Sequence, residues 1–69
     1  MPKFNARLKK AMAMRGLKQC DICKRTGISK SAMSQYISGS FIPRYPRLHI
    51  LAEVLDVTEA WLMGFSDTM

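Results

Sequence analysis

Gly27-Ile28-Ser29 divides the stretch from Gln19 to Ser38 and leaves few ways to fold it. Glycine enters the left-handed conformation that closes a helix without steric cost. Serine just ahead of a new helix caps its free N–H groups. The stretch therefore reads as two short helices around a tight turn. In the first, Ile22 and Cys23 face inward with Thr26, while Asp21, Lys24 and Arg25 stay in water. In the second, Met33, Tyr36 and Ile37 recur at i, i+3 and i+4 and form one buried stripe. Lys30, Ser31, Ser34, Gln35 and Ser38 are left on the outward face.

The flanking chain also reads as helix. Phe4, Leu8, Ala11 and Met12 make the apolar stripe of a first helix, about Asn5 to Arg15, which Gly16 stops. Arg7, Lys9, Lys10 and Arg15 decorate its solvent side. Lys18 stands where serine or threonine would cap the next helix better, and Gln19 lies in that helix's first turn. After Ser38, Gly39 and two prolines mark an ordered connection, and Pro46 suits the first turn of a fourth helix. That helix reaches about Leu55 with Leu48, Leu51, Ala52 and Leu55 on one face. Ile50 and Val54 add a second apolar strip, so it is expected to be largely buried. Asp56-Val57-Thr58 is a break, and Thr58 caps a short last helix from Glu59 to about Met63, ended by Gly64. The expected architecture is all-α: five helices in a single domain over residues 1–69.

Length and composition narrow the function. A chain of 69 residues with 48% apolar content closes a small core but not a deep catalytic cleft as well. It has no apolar run long enough to span a membrane and no secretory leader, so a cytoplasmic location is expected. Charge is unevenly placed. Residues 1–47 hold all 11 Lys and Arg against one acid, Asp21, for +10; residues 48–69 hold four acids and no cation, for −4. Such a split fits a protein that lays one face on a polyanion. The outward face of the second motif helix, with short hydroxyls, an amide and a cation, suits the edges of DNA bases. Lys30 could donate to guanine O6 or N7, Ser31 and Ser34 could contact either base type, and Gln35 could pair with adenine.

The run Gly16-Leu17-Lys18-Gln19, then Gly27-Ile28-Ser29-Lys30-Ser31-Ala32-Met33-Ser34-Gln35-Tyr36, then Gly39 and Pro43, resembles the Cro/repressor-type helix-turn-helix proteins, the lambda-repressor-like or XRE family. The resemblance extends from Phe4 to Gly64. Two residues depart from its pattern: Thr26 replaces a usual leucine, which loosens the expected packing beneath the turn, and Cys23 replaces alanine. The resemblance implies that Lys30, Ser31 and Ser34 read bases, that Gln19 holds a phosphate, and that Ser38 lies near the backbone. Ser40 and Arg44 in the following loop join Gln19 and Ser38 as expected phosphate contacts.

Other chemistry is sparse. Cys20 and Cys23 form a C-x-x-C pair, but a zinc site needs four ligands and only His49 could add a strong one. A core cysteine beside an incidental thiol is the simpler reading. His49 is expected to be partly buried and structural. It has no nucleophile at a useful spacing, so neither an enzyme nor a cofactor is expected. Trp61, Leu62, Met63 and Phe65 are more apolar surface than one short helix can hide. Trp61 or Leu62 belongs in the core, and Trp61, Met63 and Phe65 are the candidates for a homodimer contact.

The combined expectation is a regulator that binds a double-stranded DNA operator in sequence-specific fashion. It resembles a phage or prophage repressor, either a Cro-like protein or the DNA-binding part of a longer chain. The rival is a protein-interaction module on the same fold, such as an antitoxin or anti-repressor.

Overall fold

The computed structural model describes residues 4–68. They form five α-helices and no strand: α1 (Phe4–Arg15), α2 (Gln19–Thr26), α3 (Lys30–Ser38), α4 (Arg47–Leu55) and α5 (Glu59–Leu62).

Local chemistry sets each boundary. Lys18 has no oxygen with which to cap α2, and Asp21 supplies the missing half: its carboxylate accepts the Lys18 N–H at 2.9 Å. Gly27 closes α2 at φ 78° with its N–H on the Cys23 carbonyl, and the Ser29 hydroxyl caps α3 by accepting the Ala32 N–H at 3.2 Å. Thr26 does more than leave a gap where leucine is usual. Its hydroxyl donates to the Ile22 carbonyl at 2.7 Å and accepts the Ile28 N–H at 3.2 Å, so the turn is stitched by polar contacts. Gly39 ends α3 at φ 87°, and a Cβ there would lie 2.9 Å from the Asn5 amide nitrogen. The left-handed backbone conformation favours glycine here, while the Asn5 amide could swing aside. Asp56 ends α4 in the same left-handed region, at φ 57°, and Thr58 caps α5 by accepting the Trp61 N–H.

The core draws on every helix: Phe4, Leu8 and Ala11 from α1, Ile22 from α2, Met33 and Tyr36 from α3, Leu51, Ala52 and Leu55 from α4, and Trp61 and Leu62 from α5. Ile28 adds a side chain from the turn. Helix α1 packs on α3, α4 and α5, and α2 packs on α3 and α4. Phe4 and Tyr36 meet edge to face with centroids 6.4 Å apart, which pins the start of α1 to α3.

Three expectations are corrected by this packing. Helix α4 is buried on one face only, because Ile50 and Val54 are half-exposed and lie outside the core. Arg7 is not a solvated residue of α1. Its guanidinium lies 4.7 Å from the Trp61 ring centre and donates to the carbonyls of Trp61 and Ser66 and to Asp67. Arg15 stays exposed but is not free in water: it donates to the carbonyls of Leu55 and Asp56 at 2.8 and 3.0 Å, satisfying groups that the end of α4 leaves open.

His49, the third, is exposed. Its ring bridges two carboxylates, with Nδ1 3.0 Å from Glu59 and Nε2 paired with Glu53. The hydrogen bond to Glu59 raises its pKa above the ordinary 6.5, and the charges of both glutamates reinforce this against some desolvation.

Candidate nucleic-acid interface

The turn and the apolar stripe of α3 decide what faces outward. With Met33 and Tyr36 buried, the opposite positions Lys30, Ser31, Ser34, Gln35 and Ser38 are all exposed, as the spacing predicts. Lys30 and Ser31 stand in the first turn of α3, the end whose residues reach base edges when such a helix enters the major groove.

Gln19 ties α2 to this face. Its side-chain amide donates to the Ser34 hydroxyl at 2.9 Å and to the Lys30 carbonyl at 3.1 Å. The side chain thereby ties the start of α2 to α3. Ser34 accepts from Gln19 and keeps its own O–H to turn outward. A capping pattern or an apolar period does not encode this bond, since it joins two polar residues across the turn.

At the far end of α3, the Ser38 hydroxyl donates to the Gln35 carbonyl at 3.0 Å and lies 3.0 Å from the Ser40 hydroxyl. Ser38 and Ser40 thus form one hydroxyl pair beside the helix end. Arg44 is exposed in the loop between α3 and α4. Arg47, which the sequence reading left out, opens α4 and donates to the Tyr36 hydroxyl at 3.0 Å. The same loop exposes Phe41, Ile42 and Tyr45. Their only signal in the sequence is that apolar residues in a loop have no helix face to hide them.

The residues considered for a dimer contact separate. Trp61 is only 3% exposed, beneath the Arg7 guanidinium, and belongs to the core instead of a surface patch. Met63 is half-buried against the core, and Phe65 is 82% exposed. Cys20 is exposed and Cys23 is half-buried, both as free thiols. Among the described residues, no helix is long and apolar enough to cross a membrane.

A capped tight turn between α2 and α3, with a fully exposed polar face on α3, defines a helix-turn-helix. The family model Helix-turn-helix matches residues 8–62, and this chain belongs to that family, whose fold is that of DNA-binding transcriptional regulators. Among its relatives is the 26 kDa repressor protein of Escherichia phage HK022, 35% identical over 68 residues. That alignment takes in 93% of this chain and 29% of the repressor, so the chain spans under a third of its relative's length. The crystal structure of a transcriptional regulator from Listeria innocua superposes with a TM-score of 0.83 at 22% identity. The match covers 100% of this chain and 64% of that one, and confirms the fold.

Proposed function

We propose that this chain is the operator-binding domain of a phage-type repressor, acting in the cytoplasm as a homodimer that blocks transcription by occupancy. One observation carries the reading: α3 turns an unbroken row of small polar residues and one cation to solvent, with α2 braced against it through Gln19. Such a helix enters the major groove of double-stranded DNA without a bulky side chain in the way.

Lys30 and Ser31 meet the first bases, Ser34 the next, and Gln35 the outer edge. Ser38, Ser40 and Arg44 meet phosphates on the loop side. On the other side Gln19, in the first turn of α2, meets a phosphate. Met63 and Phe65 supply the dimer contact at the acidic end. Repression follows without chemistry, because a docked dimer excludes polymerase or a competing regulator.

Selection of bound duplexes from a random pool tests the assignment. The expected product is a pair of related half-sites with centres about 34 Å apart, one helical turn. Lys30→Ala should lose preference in one column of each half-site, at about 1–3 kcal/mol. An unchanged site in every column would remove α3 from the interface. Phe65→Glu should stay folded and bind an isolated half-site normally, while losing cooperative binding to paired half-sites. Equal self-association of parent and variant in sedimentation would move the dimer contact elsewhere.

A further inference from the structure

Beside the recognition face lie apolar side chains that contacts to phosphates and bases do not explain. The loop between α3 and α4 and the first residue of α4 enclose an open groove of about 480 Å³. Phe41, Ile42 and Tyr45 line it and are 57%, 44% and 76% exposed. Arg44 and Arg47 stand on its wall, and Gln35 of α3 closes the side nearest the recognition face. Three large apolar side chains held in water within one short loop form a contiguous patch of the kind that marks an interaction site.

The shape and chemistry of the groove select its occupant. Specific protein–DNA interfaces are polar and strongly cationic, and a phosphate backbone has no apolar side chain to fill a groove lined by phenylalanine, isoleucine and tyrosine. An open groove of mixed lining, with exposed aromatic and aliphatic side chains set beside arginines, takes an apolar anchor flanked by polar groups. The two arginines, within a segment where cations far outnumber acids, call for carboxylates beside that anchor. Arg47 is already oriented by its bond to the Tyr36 hydroxyl. A second copy of this chain offers similar chemistry at Phe65 and Asp67. Docking that end into this groove would be a head-to-tail contact, which propagates into rings or open chains.

We propose that the groove binds a segment of a separate protein, acidic and carrying an aromatic or aliphatic anchor, and that this binding excludes DNA. The exclusion follows from position: Gln35 lines the groove and also stands on the outward face of α3. An acidic partner seated there covers the outer edge of the recognition helix and opposes the approach of phosphates. The inference adds an inhibitory partner to the regulator described above. Its first test does not depend on DNA.

A displayed library of random peptides is selected on the parent protein and counter-selected on the Phe41→Ser/Tyr45→Ser double variant. Both side chains are exposed, so the variant should keep the helicity and thermal midpoint of the parent. The expected winners carry an aromatic residue or leucine flanked by aspartate or glutamate. In a synthetic version of a winner, replacing the anchor by serine should weaken binding about tenfold or more, the loss expected from one buried apolar side chain. The winner should also displace a labelled duplex from the parent, and the double variant should hold that duplex within a few-fold of parent affinity.

Three results would overturn the proposal. One is no enrichment over the double variant, or winners without carboxylates. Another is a loss of duplex affinity in the double variant as large as that of Lys30→Ala, which would assign the groove to DNA. The third is self-association of the parent that the double substitution abolishes, which would make a second copy the occupant.

Discussion

Gln19 and Ser34 should not act independently on DNA. In a scheme where Gln19 only holds a phosphate and Ser34 only reads a base, Gln19→Ala weakens binding to all sequences equally and Ser34→Ala blurs one position. The 2.9 Å bond from the Gln19 amide to the Ser34 hydroxyl joins the two roles. It fixes the hydroxyl as an acceptor on one side, so that its proton turns toward the groove. A neutral hydrogen bond of this kind contributes about 0.5–1.5 kcal/mol net, and solvent exposure places this one near the lower end, about 0.5–1 kcal/mol. The double variant should therefore lose less affinity than the two single losses combined, by about two- to fivefold. Fluorescence anisotropy on the selected duplex, with parent, both single variants and the double variant, closes the cycle. Gln19→Ala should also weaken preference at the base that Ser34 contacts, which a phosphate contact alone would leave intact. Additivity within about 0.3 kcal/mol, with an unchanged base preference, would show that Gln19 releases Ser34 when DNA is bound.

Arg7→Met keeps the aliphatic length but removes the charged donors to Trp61, Ser66 and Asp67, and should cost about 1.5–3 kcal/mol in urea unfolding; a loss below about 0.5 kcal/mol would mean the arginine is mobile in solution. For His49 the folded-state pKa is raised, so its contribution to stability is full below the ordinary 6.5 and fades as pH climbs through the higher folded value. The urea midpoint of the parent relative to His49→Gln should accordingly narrow between mildly acidic and mildly alkaline buffer, and a gap that is flat or widens with pH would refute the bridge. Replacing Cys20 by Ser and Cys23 by Ala should leave operator affinity within a few-fold with or without oxidant; an oxidant-sensitive parent cured by this change would instead make the pair a redox sensor.

What could be read from the sequence depended on whether local chemistry or tertiary contact decided the matter. The turn was legible because Gly27 and Ser29 each have a local reason to be where they are. The apolar stripes of α1 and α3 were legible because a helix repeats its buried face. Asp56 was not, since left-handed backbone at an aspartate leaves no mark comparable to glycine. The extent of burial of helix α4 was not, because hydropathy counts Ile50 and Val54 as core, whereas packing against α1, α2 and α5 decides which apolar face is covered. Nor was the exposure of His49: neighbouring leucine and isoleucine suggested burial, while its actual partners are Glu53 at i+4 and Glu59 on the next helix.

Charge shows most clearly how sequence position and spatial position part company. Counting along the chain puts every cation before residue 48 and sets a basic part against an acidic one. In space, two of those cations cross over. Arg7 ends against Ser66 and Asp67, and Arg15 against Leu55 and Asp56. They act as ties from α1 to the ends of α4 and α5, donating to backbone carbonyls there and, for Arg7, pairing with Asp67. Around α3 and the loop that follows it, the exposed cations are Lys30, Arg44 and Arg47. Neutralising Arg7 or Arg15 should therefore lower stability and leave the salt dependence of DNA binding unchanged, whereas neutralising Arg44 should reduce that slope by about one phosphate and spare the fold. The two arginines connect the side of the molecule that carries Met63 and Phe65 to α1, and α1 in turn packs on α3 through Phe4 and Tyr36. A dimer formed at the acidic end would thus transmit its geometry to the recognition helices through packed contacts, so that half-site spacing is set by the same residues that hold the fold together.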